Sequence, residues 1–314
     1  MGRARPDGAP SFRFALTIVH LLALVHLARA QPASHGDGLP MQVPRRARMH
    51  SNTRVASRAP NIIHADPDLP PWSRFRAVTV VHEPCSTLAF TLTNFAGNLG
   101  PDWPLLLLYT PRAAAAVLGN RIVRYLARYG GLATLPLAAL GDIQGVSADL
   151  TDVAQYSRLL AHPAFWEAMH ADKVLIFQVD SVLCSGSNFS IDDFLAYDYI
   201  GAPWIHAGRG VGNGGLSLRS VDRMLDIARH FNRTAHPEDV FFVEGLADVA
   251  RRDESVIRAP ASAAERFSFE MDEPPDFVPF GLHRSAIVPA ETKAAIARGC
   301  PEAAIGVWSS CGRS

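Results

Sequence analysis

The chain has 314 residues, 48% of them hydrophobic, which is ample for a sizeable core in one large domain or two small ones. Thirty Lys plus Arg balance thirty Asp plus Glu, so no global field draws the protein to nucleic acid or to an acidic partner. Partners must be argued from local sites, and the four cysteines show no Cys-x-x-Cys or Cys/His spacing of a structural zinc site.

Arg3, Arg5 and Arg13 precede an apolar run from Phe14 to Ala28, and Ala28-Arg29-Ala30 has the small-x-small form of a cleavage site. The run falls short of the about 20 apolar residues of a bilayer span and carries His20 and His26. Residues 1–30 therefore read as a signal peptide, with a short signal anchor as the alternative. Either one predicts entry to the secretory pathway, with residence in the Golgi lumen or membrane, or secretion. The sequons Asn188-Phe-Ser190 and Asn232-Arg-Thr234 agree with lumenal residence. In an oxidising lumen Cys85, Cys184, Cys300 and Cys311 can pair in several ways, and a Cys300–Cys311 bridge is favoured because it staples the C-terminal tail.

Residues 31–76 are rich in Pro, Arg, Ser and His without apolar periodicity, and read as a flexible stem. The folded domain is expected over residues 77–290, followed by a tail over 291–314. It opens with the β-branched run Ala77-Val-Thr-Val-Val81, a buried strand. Leu88, Leu92, Phe95 and Leu99 lie at helical spacing after Ser86, a candidate N-cap. Leu105–Tyr109 is a second strand, and Ala113–Tyr129 a helix closed by Gly130-Gly131. A short strand over 133–137, a long helix from Thr151 to His170 and a central strand over 173–178 follow. This alternation predicts a parallel α/β sheet with right-handed crossovers.

Asp180 follows that central strand, where open α/β sheets bind ligands beyond the carboxyl ends of their strands. A lone carboxylate delivered there into a polar loop suits a Mg²⁺ or Mn²⁺ ion bridging a diphosphate, although turns and caps use Asp as well. Gly214 and Gly215, in Asn213-Gly-Gly-Leu-Ser-Leu218, permit close backbone approach before a short strand. Ser220 reads as the N-cap of a helix to about Phe231. Arg219 reads as a phosphate or acceptor contact, or as a solvated residue. Glu238 and Asp239 follow Pro237 at the first turn of another helix, where the amide dipoles favour carboxylates. Tyr199, Trp204 and His206 offer aromatic faces to a sugar or base, with core packing as the plainer account. Asp192 and Asp193 read as caps near Phe194.

The ordered series Tyr197-Asp-Tyr-Ile-Gly-Ala-Pro-Trp204, Gly212-Asn-Gly-Gly-Leu-Ser-Leu-Arg219 and Pro237-Glu-Asp-Val-Phe-Phe242 resembles a largely uncharacterised family of glycosyltransferase-like proteins with the GT-A fold. The resemblance covers about Ala77 to His283. More distantly, the order of strand acid, Gly-Gly and Glu-Asp is similar to inverting β1,3-galactosyltransferase-type enzymes. The resemblance implies a mostly parallel sheet flanked by helices and a metal-dependent transfer of sugar, with inversion, from a nucleotide-sugar donor. The acceptor would be a hydroxyl of a glycan, glycoprotein or glycolipid. Gln178-Val-Asp180 stands where such enzymes carry Asp-x-Asp, so Asp180 would ligate Mn²⁺ or Mg²⁺. Gln178 departs from the pattern, able to hydrogen-bond the donor while adding no charge. His283 would be a second metal ligand, Gly214 and Gly215 would lie against the donor, Asp239 would be the catalytic base, and Glu238 would orient the helix or acceptor. The alternative is a non-catalytic carbohydrate- or nucleotide-binding protein that keeps the fold.

Overall fold

A computed structural model describes residues 70–204, 212–231, 237–270, 276–283 and 290–306. The targeting segment, most of the stem, His206, the Asn232 sequon and Cys311 lie outside these residues. No helix among the described residues is long and apolar enough to cross a membrane.

The first strand, β1 (Ser73–Val81), begins inside the segment expected to be stem. Ser73 and Phe75 are recruited by register with Ala171 and Lys173 of β4 (Ala171–Phe177), pairs that lie far beyond any local window. Arg76 anchors this entry from within, donating from Nε to the Met169 carbonyl at 2.8 Å and from Nη2 to the Pro71 carbonyl at 2.6 Å. After β1 come α1 (Leu88–Leu99), β2 (Leu105–Tyr109), α2 (Pro111–Gly119), α3 (Arg121–Tyr129) and β3 (Leu132–Pro136). Next are α4 (Val153–Ala161) and α5 (Pro163–Glu167), which lead into β4. The chain continues through β5 (Ser181–Leu183), β6 (Tyr199–Gly201), β7 (Leu216–Ser220), α6 (Val221–His230) and α7 (Glu238–Ala250). It closes with α8 (Ala261–Phe267), β8 (Ser268–Phe269), β9 (Gly281–His283), α9 (Ala290–Gly299) and α10 (Ala303–Gly306).

Among the described residues six strands form the main sheet in the order β3-β2-β1-β4-β7-β6, and β5-β9-β8 form a second, small one. The neighbours from β3 to β4 pair in parallel, whereas β7 runs antiparallel to both β4 and β6. The expected α/β sheet is thus present, mainly parallel and flanked by helices, but it is mixed rather than uniformly parallel.

Alternation along the strands divides the core. Val78, Val80, Leu106, Leu108, Val174 and Ile176 face Leu159, Phe165, Trp166, Met224, Ile227, Phe242 and Leu246 on one side. Ala77, Leu105, Leu107, Leu175 and Phe177 face Leu88, Leu92, Phe95, Ala264 and Phe267 on the other. Period-two alternation with both faces apolar is what a doubly covered sheet requires.

Several helix boundaries differ from the sequence reading for local reasons. The single helix expected over 113–129 breaks at Asn120, whose side chain accepts from the amides of Ile122 and Val123 and so restarts the helix as α3. The long helix expected from Thr151 to His170 is capped by Asp152 rather than Thr151, and it stops at His162, before Pro163. The N-cap of α1 is Thr87, not Ser86, and its side chain makes no capping bond. Asp193 does cap, closing a reciprocal box with Ser190.

The favoured Cys300–Cys311 bridge is corrected: Cys300 pairs with Cys184, 116 residues away, with a Cα–Cα distance of 4.8 Å. Together with Ile296 and Ala303 packed against Val182, this bridge docks the C-terminal helices on β5.

Trp166 is fully buried, edge-on to Phe165 and Phe242, and donates from Nε1 to the Leu160 carbonyl at 2.6 Å. Trp166→Ala is expected to cost about 3–5 kcal/mol of unfolding free energy in urea titrations. A loss below about 1 kcal/mol would contradict this packing.

Candidate active site

The site is set by chain topology. From β1 the chain moves outward through β2 and β3, then returns to place β4 on the other side of β1. Open α/β sheets take ligands at such a reversal, beyond the carboxyl ends of the two strands. A cleft of about 350 Å³ lies there, lined among others by His82 and Glu83 after β1, Gln178 and Asp180 after β4, and Asp152 and Tyr156 at the start of α4.

The antiparallel β7 brings a second loop to the same edge. Leu216 pairs with Phe177 at the end of β4, so the residues entering β7 stand beside the residues leaving β4. The Gln178 amide extends the ladder by donating to the Gly215 carbonyl at 2.8 Å. The Ser181 hydroxyl donates to the same carbonyl at 3.2 Å. Register also delivers His283, because β9 pairs antiparallel with β5 and sets His283 opposite Ser181, next to Asp180. From α1, Thr91 donates to the Val179 carbonyl, and the Asn94 amide bonds both backbone groups of Leu183, so a helix face steadies the loop on both sides of Asp180.

His283 is 4% exposed, and its Nε2 stands 3.1 Å from Gln178 Oε1 and 3.5 Å from Asp180 Oδ1. Its Nδ1 stands 3.4 Å from Glu270 Oε1 and has no hydrogen-bond partner. Among the described residues no group of three His, Cys, Asp or Glu side chains is placed to share a metal ion. Two such groups, Asp180 and His283, converge here with the Gln178 carbonyl oxygen. Two oxygens and an imidazole nitrogen facing one another form a donor set that would suit Mn²⁺ or Mg²⁺. Asp180 and His283 therefore fit the cation that the resemblance implies, and Gln178 sets a neutral oxygen beside them.

The glycine pair is required by packing rather than by an unusual backbone angle. A Cβ on Gly215 would lie 2.1 Å from the His283 ring, and one on Gly214 would lie 2.1 Å from Glu238 Oε1. Beneath this loop Arg219 is fully buried, which corrects both earlier readings of it as a ligand contact or a solvated residue. Its Nη1 and Nη2 donate to the two oxygens of Glu238 at 2.8 and 3.1 Å, and its Nε donates to Ser217 at 2.9 Å. The guanidinium also lies 4.7 Å from the Tyr199 ring and 5.3 Å from that of Phe242. Glu238, with both oxygens engaged by Arg219, braces the first turn of α7. Tyr199 is core, donating its hydroxyl to the Gly212 carbonyl at 2.7 Å.

Asp239, one residue on, keeps a carboxylate that no side chain among the described residues pairs with. Burial and the adjacent Glu238 charge push its pKa up to about 6. Hydrogen bonds from the backbone amides of Val240 and Gly214, together with the Arg219 charge, limit that rise. A carboxyl group held near neutrality is suited to proton transfer at physiological pH.

The sequence reading missed three members of this assembly. Asn213 links Glu270, by a 2.6 Å bond from Nδ2, to the Gly215 amide, by a 2.9 Å bond to Oδ1. Tyr156, on the long helix expected from Thr151, lines the same cleft as Gln178 and Asp180. Asn213 carried a local signal, as the polar residue opening Asn-Gly-Gly. Glu270 and Tyr156 carried none, because their roles arise only when distant elements meet.

Residues 144–283 match a family described as a protein of unknown function, DUF5672. This span is less than half of the chain, yet it holds Gln178, Asp180, Asn213–Gly215, Glu238, Asp239 and Glu270, and it ends on His283. No curated protein gives a significant match. Among solved structures the chain is similar to the bifunctional glycosyltransferase WbbM in its apo state, at 10% identity and a TM-score of 0.38, over 70% of this chain and 46% of that one. The chain thus spans about half the length of that relative. It is similar to the galactosyltransferase LgtC in complex with donor and acceptor sugar analogues, at 12% identity and a TM-score of 0.38, over 76% and 98% of the two chains. It is also similar to a mannosyltransferase from Pyrobaculum calidifontis in complex with GDP-Man and Mn²⁺, at 11% identity and a TM-score of 0.35, over 62% and 57%.

Removing one member of a buried ion pair strands the other. Glu238→Ala is expected to cost about 3–5 kcal/mol in chemical denaturation, whereas replacing Glu238 and Arg219 together by Leu and Met should cost clearly less than the sum of the single changes. Additive losses would show that the pair does not brace the loop.

Proposed function

We propose that this chain is a glycosyltransferase that moves a sugar from a nucleotide-sugar donor to an acceptor hydroxyl, with inversion at the anomeric carbon. The observation that carries the reading is the convergence, at one reversal point of the sheet, of two arrays. One is a cation-type donor set of Gln178, Asp180 and His283. The other is a carboxyl group, Asp239, held near neutrality beneath the same glycine loop.

In this reading the donor's diphosphate occupies the cleft beside Asp180, and the Gly214-Gly215 loop, packed on His283 and Glu238, lies beside the donor. Asp180, His283 and the Gln178 carbonyl hold Mn²⁺ or Mg²⁺, which when bound supplies neutralisation of charge on the departing diphosphate. Asp239 takes the proton of the acceptor hydroxyl. The acceptor oxygen then forms its bond to the anomeric carbon as the carbon–diphosphate oxygen bond breaks on the opposite side, so one displacement inverts the centre. Glu238 does no chemistry in this scheme; it fixes Arg219 and the start of α7, and thereby the direction of Asp239. The acceptor is a glycan, glycoprotein or glycolipid met in the secretory pathway, with the N-terminal segment as leader or anchor. Asn188 is exposed, and its glycosylation in a secretory host tests that placement.

A panel of nucleotide sugars assayed with Mn²⁺ and with EDTA is expected to give metal-dependent donor turnover. Asp180→Ala should lose both nucleotide binding and turnover, while Asp239→Asn should bind nucleotide and turn over at least about 10²-fold more slowly. A product retaining the donor's anomeric configuration would contradict inversion. Nucleotide binding under no metal condition would instead favour the non-catalytic alternative, to which the neutral Gln178 gives some ground.

The pKa of Asp239 fixes two further outcomes. Activity should fall about tenfold per pH unit below about pH 6, as the base becomes protonated. In the unfolded chain the same carboxyl titrates near 4, so the folded state holds the proton more tightly. The resulting stability is fully present below about pH 4 and is lost as pH rises through about 6. Asp239→Asn should therefore raise stability at pH 7, by on the order of 2 kcal/mol, in thermal or urea unfolding. An unchanged or lowered stability would contradict the strained carboxylate.

A further inference from the structure

The geometry points to Glu270 as a positioning residue that fixes the tautomer of His283 and ties the cation site to the glycine loop; this inference rests on the cation reading of Gln178, Asp180 and His283. Glu270 lies just after β8, is 8% exposed, and among the described residues accepts a hydrogen bond through one of its two oxygens. Its Oε2 accepts from Asn213 Nδ2 at 2.6 Å, while its Oε1 stands 3.4 Å from His283 Nδ1. That nitrogen is buried and is one of the few side-chain atoms among the described residues left without a hydrogen-bond partner.

A buried polar atom facing a carboxylate across a gap this small calls for a proton between them. With the proton on Nδ1, a slight turn of the imidazole completes an Nδ1–H donation to Glu270. Nε2 then carries its lone pair toward Asp180 Oδ1 and Gln178 Oε1, at 3.5 and 3.1 Å. Three electron-rich atoms converge in that tautomer, an arrangement that a cation satisfies. The opposite tautomer lets Nε2–H donate to Gln178, but it sets the Nδ1 lone pair against a carboxylate oxygen in a buried place. A histidine ligand that donates its second nitrogen's proton to a carboxylate is the usual way a protein fixes ring orientation at a metal.

Glu270 also extends the link outward. Through Asn213, whose Oδ1 accepts from the Gly215 amide at 2.9 Å, the carboxylate is joined to the loop that packs on the His283 ring. Cation binding at His283 and the set of the glycine loop are thereby coupled through the Glu270 and Asn213 side chains.

The test uses two readouts that fail separately. Imidazole ¹⁵N chemical shifts and couplings in metal-free, ¹⁵N-histidine-labelled protein report which nitrogen of His283 carries the proton, with assignment by His283→Gln. The expected result is Nδ1–H in the wild type, lost or redistributed in Glu270→Gln, a variant isosteric with the native side chain. Mn²⁺ binding, followed by electron paramagnetic resonance of the free ion, should weaken by roughly 10–100-fold in Glu270→Gln. An Nε2–H tautomer in the wild type overturns the assignment to Glu270 without recourse to any variant. So does wild-type Mn²⁺ affinity in Glu270→Gln, provided that Asp180→Ala abolishes binding, an outcome that leaves the cation site standing. Absence of Mn²⁺ binding by the wild type overturns the cation reading itself, and the tautomer result then shows whether Glu270 still orients His283.

Discussion

The antiparallel pairing of β7 with β4 is the constraint on which the site depends. Were β7 parallel like its neighbours, the loop that precedes it would lie at the opposite edge of the sheet, far from Asp180. Reversed, Leu216 pairs with Phe177 and the glycine loop meets the Gln178–Asp180 loop directly. The small second sheet repeats the device. β9 runs antiparallel to β5, so its last residue, His283, arrives beside the first residue after Asp180. Two short reversals on a parallel scaffold thus gather residues separated by more than 100 positions.

The closeness of this gathering excludes side chains. Gly214 and Gly215 are needed because Glu238 and His283 already fill the space a Cβ would take. Burial of Arg219 beneath the loop is costly on its own and is offset by the bidentate Glu238 contact and three aromatic faces. Burial of the Asp239 carboxyl, and then the charge of its sequence neighbour Glu238, raise its pKa. Stability and chemistry are linked here: the pair that braces the loop also sets the proton affinity of the proposed base.

Much of this was legible in the sequence where the signal was local. The strands at Ala77–Val81 and Leu105–Tyr109, the carboxylate after the central strand, the glycine pair and the Glu-Asp helix start are each written in adjacent residues. Boundaries governed by one side chain, such as the Asn120 cap and the His162-Pro163 break, were blurred because a 3.6-residue pattern runs on through them. Contacts made by topology were hidden. Nothing in the sequence around Ser73 announces its pairing with Ala171, nothing near Glu270 points to His283, and the Cys184–Cys300 bridge depends on a small sheet too short to register as a pattern. Arg219 shows the limit most plainly, since an arginine beside a strand end reads as solvent-facing until its aromatic and acidic partners are assembled around it.

The most direct test is anomalous diffraction at the manganese edge from crystals soaked with Mn²⁺ and a set of nucleoside diphosphates. A single strong peak within about 2.0–2.3 Å of Asp180 oxygen and His283 Nε2, with the diphosphate on the same ion and Asp239 facing the open side, is the predicted result. Manganese and nucleotide bound elsewhere, or nucleotide seated in the cleft with no metal between it and Asp180, would contradict the account.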